Sequence, residues 1–468
     1  MGEMKSLLLA EKWLLPTLMI VIGWPLPSLA QPSAPALLLE QSQLQAQPQA
    51  RIRNQTQSRL TLTVQDGSET EPNWNDYYQA GREESLLEEA RLALSESRFQ
   101  EAERLLDQAL QVNRASYGLH NPSQLGVLDA MLEAQLVQQN WTEFGQRLEY
   151  IDWLNRRLYA EHPERLAAGL QRLSRWHRAA AAVVEGTPSA WYLIQGKYLD
   201  WRAVSILERQ FGRNDKRLAP ILYQIALTHF YQTVSIERRG MTSFDFKTEE
   251  KKIANGWMSS RSETVRRSYR IGRDNLRRIQ AIYAADSNSM NTSAALLKIH
   301  LADWEFLYGN STTALQLYRE AYAQLLEAGV AESAVDAYFA RLQVLPEQQL
   351  LQEWQFPEAG EEGEVVSISA WSRVYPGAQL PVDFQQSLSS SPHQVRALLE
   401  FEVQADSDSA QFGYGIAGME FIDVAREHEQ AAARASLEIP LLSFRPRLKA
   451  GELVAHDPVL LDYTLAPD

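Results

Sequence analysis

The most distinctive chemistry in the sequence is a set of arginines at helical spacing. Four of them follow each other at intervals of four, three and four residues: Arg266, Arg270, Arg273 and Arg277. A helix would place all four guanidinium groups on one face, where they can bind carboxylates or phosphates. Three interpretations stay open: a solvated helix face with acidic neighbours, a docking surface for an acidic partner, or a contact with lipid or glycan phosphates.

These arginines belong to a basic segment of an acidic chain. Residues 237–278 include 12 basic and six acidic residues, whereas the whole chain of 468 residues has a net charge of −14. Residues 358–468 contain 18 acidic and seven basic residues. Opposite local charges lead to the hypothesis that the acidic C-terminal region docks on the basic segment within one chain. A chain without a broad basic surplus is not expected to bind nucleic acid.

Residues suited to metal binding or nucleophilic catalysis are few and scattered. The chain has no cysteine and eight histidines, which excludes disulfides, cysteine-based metal sites and thiol nucleophiles. His120 and His162 lie at turns before helices, where side-chain capping is expected; His177, His229 and His300 lack the spacing of metal ligands. No catalytic or phosphate-cradling motif occurs. The sequence therefore predicts no catalytic residue, no cofactor and no metal.

Helical periodicity and an internal repeat dominate the chain from Trp74 to about residue 345. Apolar residues recur at spacings of three and four, which is typical of amphipathic helices. Phe99 and Trp141, at the turns between paired helices, lie 42 residues apart, and Pro122 and Pro163 lie 41 apart. This self-similarity predicts stacked helical hairpins, because such hairpins cannot bury their apolar faces alone.

Two stretches carry a family resemblance. Residues 97–103 with 108–110 resemble the second half of a tetratricopeptide repeat of the longer, roughly 42-residue kind, and residues 297–321 resemble a further repeat. The similarity is clear at both ends of the region and poor between about 180 and 285. It implies a right-handed superhelix of helical hairpins with a concave groove that binds peptides or proteins.

After residue 363 the apolar period changes from that of a helix to that of strands. Strands are predicted at 365–370, 397–403 and 412–416, a helix at 424–438 and a terminal strand at 459–465. Without the short strand at 412–416 the order is β-β-α-β, which in about 110 residues indicates a small α+β domain.

This order, with the motif Phe444-Arg445-Pro446 and Gly451, is similar to the C-terminal domain of TonB-type proteins. The resemblance implies a small periplasmic domain that pairs an edge strand with a partner peptide, with Phe444, Arg445 and Pro446 as partner-binding residues. Energy-transducing members carry a membrane-spanning N-terminus and a long charged spacer, which are not recognised here. We therefore expect binding rather than coupling to an ion gradient.

Four regions are expected along the chain. Residues 1–30 are predicted to be a signal peptide cleaved after Ala30, with an uncleaved anchor as the alternative, and residues 31–72 a Gln/Pro-rich flexible linker. Residues 73–346 form the repeat domain and 358–468 the C-terminal domain. After cleavage the protein is expected to be periplasmic and not an integral membrane protein.

The sequence thus predicts a mainly α fold, a helical-hairpin solenoid followed by a small α+β domain. The predicted function is a non-enzymatic periplasmic scaffold in a Gram-negative envelope. Its repeats would bind a protein or peptide, and its C-terminal domain a second partner or an envelope component. Two alternatives remain. One is an envelope-associated hydrolase or enzyme accessory subunit with a carboxylate-based site in the repeat groove. The other is a structural component that oligomerises through its solenoid.

Overall fold

The computed structural model describes residues 81–184, 187–238, 261–285, 291–351, 354, 366–369, 394–405, 412–422 and 429–465. The signal peptide and linker predicted for residues 1–72 lie outside the described residues. Eleven described helices precede the C-terminal sheet: α1 (Arg82–Ser95), α2 (Phe99–Tyr117), α3 (Gln124–Val137), α4 (Trp141–Leu158), α5 (Pro163–Val183), α6 (Thr187–Phe211), α7 (Leu218–Arg238), α8 (Arg261–Ala284), α9 (Asn291–Leu307), α10 (Ser311–Glu327) and α11 (Glu332–Ala340).

The first ten helices pack as five hairpins, and each hairpin also contacts the next one. The pairs are α1–α2, α3–α4, α5–α6, α7–α8 and α9–α10. The repeat predicted from sequence corresponds to real helix starts, because Phe99 and Trp141 begin α2 and α4, and Pro163 begins α5. Proline is favoured at a first helical position, where its missing N–H needs no partner. The prediction of a helical-hairpin solenoid is confirmed.

The divergent middle of the chain consists of longer helices. α6, α7 and α8 have 25, 21 and 24 residues, whereas α1 to α4 have 14 to 19. Hairpins with longer arms lose the 42-residue spacing while they keep the same packing. This explains why the resemblance is poor between residues 180 and 285.

The C-terminal region is a sheet with one helix. Its elements are β2 (Val366–Ser369), β3 (Gln394–Ala405), β4 (Phe412–Ile422), α12 (Glu429–Glu438) and β8 (Val459–Thr464). The strand order is β2-β8-β3-β4, with β2 parallel to β8 and the other pairs antiparallel. The predicted strands and helix are present, although the part of the predicted helix at 424–428 lies outside the described residues.

Short strands that the sequence did not predict attach this sheet to the helices. β1 (Val344–Leu345), directly after α11, pairs with β5 (Ser443–Phe444). The hairpin of β6 (Arg447–Lys449) and β7 (Glu452–Val454) follows, and Leu448 is buried in the same apolar cluster as the facing sides of α9, α10 and α11. The C-terminal region and the last hairpin therefore share a core.

His177 in α5 is a buried histidine that links folding to pH. Its ring centroid lies 5.6 Å from that of Trp191 and 5.7 Å from that of Tyr192. Burial, with a smaller effect of the Arg178 charge, lowers the pKa of His177 to about 3. The unfolded chain binds a proton at this residue below about pH 6.5 while the folded chain does not, so acid favours unfolding.

We therefore expect the free energy of unfolding to fall from pH 7 to pH 5, with His177 contributing up to about 1.4 kcal/mol per pH unit. Urea unfolding of the wild type and of His177→Gln at pH 7, 6 and 5 measures this. The variant should take up about one proton fewer on unfolding. Identical pH slopes for the two proteins would show that His177 is not responsible.

Candidate functional site

The predicted arginine row lies on α8. Arg266, Arg270 and Arg277 are exposed and Arg273 is half-buried. The opposite face of α8 is packed in the helical core, through Ser268, Gly272, Asn275, Leu276, Ile279 and Ile282. A 3.6-residue turn gives this helix one apolar and one charged face. The row is therefore a surface feature, as its spacing predicts.

Arg273 differs from the other three arginines because it is fixed by neighbours. Its Nη1 donates to the Tyr269 hydroxyl at 2.9 Å and lies 3.9 Å from Oε1 of Glu305, and the guanidinium carbon lies 5.0 Å from the Tyr269 ring centroid. Burial first, and then the hydrogen bond to Glu305, raise the pKa of Tyr269. Arg273 thus fastens α8 to α9.

The other three guanidinium groups have no such anchor. Arg266 donates to the backbone oxygen of Ser262 at 3.4 Å. No carboxylate in the described part of the chain forms an ion pair with Arg266, Arg270 or Arg277. The interpretation as a face neutralised by acidic neighbours therefore fits Arg273 but not these three, which present three positive charges to solvent.

Docking of the acidic C-terminal region on the row within one chain is not seen in the described residues. Among the described residues, no hydrogen bond or ion pair joins an arginine of the row to a residue beyond position 358. The C-terminal region is instead held on α9 to α11 by a contact in which the charges are reversed. Here the C-terminal region contributes the basic residue, Arg445, which forms ion pairs with the acidic residues Asp303 and Glu347. Outside this contact, Arg319 of α10 pairs with Glu452 at the surface.

The motif Phe444-Arg445-Pro446 lies inside the protein. Phe444 is 2% exposed and its ring centroid lies 5.3 Å from that of Phe401 in β3. Arg445 is 3% exposed, and Pro446 is also buried. Their described contacts are intramolecular, so the partner contact predicted at these residues has no accessible side chain in this structure.

Arg445 has four hydrogen bonds to three side chains. Its Nε and Nη2 donate to Oδ1 and Oδ2 of Asp303 at 2.9 and 2.6 Å. Nη2 also donates to Oε2 of Glu347 at 2.8 Å, and Nη1 to the Tyr338 hydroxyl at 2.7 Å. Burial alone would lower the pKa of Arg445, but the neighbouring charges of Asp303 and Glu347 raise it well above its usual value. The guanidinium group is therefore charged, and the carboxylates of Asp303 and Glu347 balance its charge inside the protein.

The segment that carries Glu347 is held against the helices through its backbone. The Tyr223 hydroxyl of α7 donates to the backbone carbonyl oxygen of Glu347 at 2.6 Å, and the Leu351 N–H donates to Nε2 of His300 at 2.9 Å. His300 Nδ1 lies 3.2 Å from the Tyr223 hydroxyl oxygen, so Nδ1 carries the proton and donates to it. Burial lowers the pKa of His300, which keeps the ring neutral.

This cluster resembles a metal site in composition, since ligand atoms of His300, Asp303 and Glu347 lie within 4.8 Å of one another. The donor atoms are already used, however: Arg445 binds both carboxylates, and Nε2 of His300 accepts the Leu351 N–H. A cation would have to replace a buried guanidinium. These residues fit an internal junction and do not fit a metal centre while Arg445 is in place.

The histidines at the turns do not cap helices as expected. His162 precedes α5 and makes no side-chain capping hydrogen bond. At the start of α3, Oδ1 of Asn121 accepts the Gln124 N–H at 3.2 Å. The neighbouring His120 packs against Trp153 in an edge-to-face arrangement, with the two ring centroids 5.1 Å apart. An amide one residue further along the chain was the better capping candidate.

Comparisons with known proteins add little to this description. No family model matches the chain, and no curated protein matches it. Among solved structures, a crystal structure of nearly identical TPR-like repeats from a putative kinesin light chain of Podospora anserina is similar at 16% identity and a TM-score of 0.35. The match covers 54% of this chain and 100% of that one. This likeness is too loose to carry an argument, so the fold rests on the helix packing described above.

In the described residues, no helix is both long enough and apolar enough to span a bilayer.

Proposed function

We propose that the protein is an exported periplasmic scaffold, in which the stacked hairpins hold protein partners and the arginine row on α8 binds an acidic segment of one of them. The observation that supports this most strongly is the exposure of Arg266, Arg270 and Arg277 on α8, without an ion-pair partner among the described residues. Guanidinium groups in this position can form paired hydrogen bonds with carboxylates. Export is inferred from the predicted signal peptide at residues 1–30.

The C-terminal sheet offers a second binding mode. β4 pairs with β3 along one edge, and its other edge pairs with no strand in the described part of the chain. β4 has 11 residues, which is long enough for several main-chain hydrogen bonds with an added peptide. Strand addition at this edge is the interaction that the resemblance to TonB-type proteins implies.

The buried carboxylates of the helical region support a scaffold more than a hydrolytic site. Asp200 accepts hydrogen bonds from Ser174 at 2.8 Å and from Arg178 at 2.7 Å. Asp303 binds Arg445, and Glu305 accepts from the Tyr269 hydroxyl at 2.7 Å. Each of these acids joins two elements of the fold. Their hydrogen bonds therefore serve packing.

The proposal is tested by replacing the three exposed row arginines, Arg266→Gln, Arg270→Gln and Arg277→Gln, in one chain. Partners are detected by proximity labelling in the periplasm, followed by identification of the labelled proteins. The labelling of the partner proteins should fall by about tenfold or more in the variant, because each lost charge-assisted hydrogen bond weakens the contact.

The matched control carries Arg91→Gln, Arg165→Gln and Arg209→Gln. These three arginines are also exposed but lie on α1, α5 and α6. The control removes the same charge and should keep the partner set. If the row variant keeps the full partner set, the row is not a partner contact.

A further inference from the structure

We propose that residues 346–351, which we call the strap, are an internal ligand of the helices, and that an acidic segment of a partner protein binds the same site by replacing them. The site, which we call the strap face, consists of Tyr223, Gln224 and Tyr231 of α7 and His300 of α9. This inference rests on the proposed scaffold function, because it names a place where the hairpins hold a partner and the chemistry of the segment held there.

The strap lies across two helices that occupy the same place in successive hairpins. α7 is the first helix of the fourth hairpin, and α9 is the first helix of the fifth. The strap follows β1 directly and contains neither helix nor strand. Stacked hairpins present their equivalent helices on one continuous surface, which solenoid proteins use for binding. A non-helical segment on this surface therefore occupies the position of a bound peptide.

Three main-chain groups of the strap are hydrogen-bonded to side chains of the strap face. The Glu347 carbonyl oxygen accepts from the Tyr223 hydroxyl at 2.6 Å, the Gln348 carbonyl oxygen accepts from Nε2 of Gln224 at 3.2 Å, and the Leu351 N–H donates to Nε2 of His300 at 2.9 Å. Every peptide carries such carbonyl and N–H groups, whatever its sequence. A segment of another protein can therefore make the same three contacts.

Two side chains of the strap add chemical selectivity. Oε2 of Glu347 accepts from Nη2 of Arg445 at 2.8 Å, and Oε1 of Gln348 accepts from the Tyr231 hydroxyl at 2.7 Å. The guanidinium and the hydroxyl both act as donors in these contacts. They favour a segment with a carboxylate that is followed by an amide or another acceptor.

The end of the strap is apolar. Leu350 packs against the main apolar core of the helices, and Leu351 packs against the cluster shared by α9, α10 and α11. Gln349, which precedes them, is exposed. The segment that fits this site therefore has an acidic residue, an acceptor side chain, one unrestricted position and two leucine-like residues.

The strap is less buried than the groups that bind it. Its four bound side chains are half-buried, whereas Tyr223, Tyr231 and His300 are 4%, 6% and 2% exposed. The strap thus lies on top of the helices and is not enclosed by them. Replacing it with another segment exchanges one set of hydrogen bonds for an equivalent set and leaves the helices in place.

The strap has an advantage over a free peptide because it is tethered. Only residues 341–345 separate it from the end of α11, and a short tether gives an effective concentration in the millimolar range. The free protein is therefore expected to keep its strap in place. A partner gains the same advantage when it also binds the arginine row, because α8 packs directly against α7 and α9.

The test uses a fluorescein-labelled peptide with the sequence of residues 346–351, and fluorescence anisotropy with up to about 300 µM of the full chain measures its binding. A chain with a loosened strap, Gln348→Ala with Leu350→Ala, should bind the peptide at least about tenfold more tightly than the wild type. The reason is that the tethered competitor has lost a hydrogen bond and an apolar contact. The matched control, Gln349→Ala, changes the exposed residue of the strap and should behave as the wild type.

Two further changes test whether the peptide occupies the strap face. Adding Tyr231→Phe and Gln224→Ala to the loosened chain should weaken binding by about tenfold or more, because two donors to the peptide are removed. A peptide that carries Glu347→Lys should also bind about tenfold more weakly or worse, because its ammonium group meets the guanidinium of Arg445.

Urea unfolding checks that each variant is folded, and a measurement on the wild type decides the question if one is not. About 1 mM of the acetylated peptide should speed up hydrogen exchange at the Leu351 amide of the strap severalfold, because the strap is displaced. A folded loosened chain that does not bind the peptide, binding that survives both changes, or an unchanged Leu351 exchange rate overturns the proposal. If the peptide does not bind while the variant with three glutamines in the arginine row still loses its partners, only this inference fails and the scaffold function stands.

Discussion

Replacing Arg445 with methionine is expected to lower the free energy of unfolding by about 3–5 kcal/mol, since it leaves the buried carboxylates of Asp303 and Glu347 without their counter-charge. Methionine fills a similar length but offers no donor to either carboxylate. Chemical unfolding followed by tryptophan fluorescence measures the loss. Hydrogen exchange should also show that the Leu351 amide, which is bonded to His300 in this junction, loses protection in the variant.

The matched control is Arg396→Met in β3. Arg396 also forms a two-point ion pair, with Asp462, but its side chain is 51% exposed, and exposed pairs contribute at most about 1 kcal/mol. If Arg445→Met costs no more than Arg396→Met, the junction does not hold the C-terminal sheet on the helices.

The second large effect is expected at Gly272 in α8, where the Trp304 ring of α9 packs directly against the backbone. A Cβ on Gly272 would lie 2.0 Å from Cζ2 and 2.3 Å from Cη2 of Trp304. The indole ring is held in place, because its Nε1 donates to the backbone carbonyl oxygen of Tyr269 at 3.1 Å. Gly272→Ala should therefore destabilise the protein by about 1–3 kcal/mol through overpacking, although alanine is the better helix former.

Gly126→Ala in α3 provides the comparison, because a Cβ there meets nothing within 4 Å. This change should stabilise the protein by up to about 1 kcal/mol, the helix-propensity difference between the two residues. Thermal and urea unfolding of both variants measure the two effects. Effects of the same sign at both positions would contradict the close approach of α8 and α9.

The sequence was sufficient to predict the hairpin architecture where the repeat is regular. Phe99, Trp141 and Pro163 mark helix starts, because a bulky residue at the hairpin turn and a proline at a first helical position act locally. The middle of the chain was less predictable, since the longer α6, α7 and α8 keep the packing but change the period. A local sequence pattern describes one helix at a time. It carries no information on the length of the helix that packs against it.

The arginine row was predicted in position but not in detail. Spacing alone places Arg266, Arg270, Arg273 and Arg277 on one face and treats them alike. Only the packing of α8 on α9 shows that Arg273 is fixed by Tyr269 and Glu305 while the other three are exposed. The difference depends on residues of a neighbouring helix.

The Arg445 junction was missed, although a signal was present. Asp303 lies within the apolar run of α9, between Ala302 and Trp304, where a carboxylate needs a buried partner. That partner is 142 positions away in sequence. Nothing local to Asp303 or to the Phe444-Arg445-Pro446 motif identifies the pair. The prediction of a partner contact at this motif rests on its resemblance to TonB-type domains.

The claim that the arginine row on α8 is the partner contact can be tested most directly by site-specific photocrosslinking in living Gram-negative cells. A photoreactive residue replaces Asp274, which is exposed on α8 beside the row, and a control replaces Glu149, which is exposed on α4. We predict a discrete crosslinked product at position 274 that is absent at position 149. It should disappear when Arg266, Arg270 and Arg277 are changed to glutamine. No product at position 274, or one that survives the loss of the three arginines, would contradict the account.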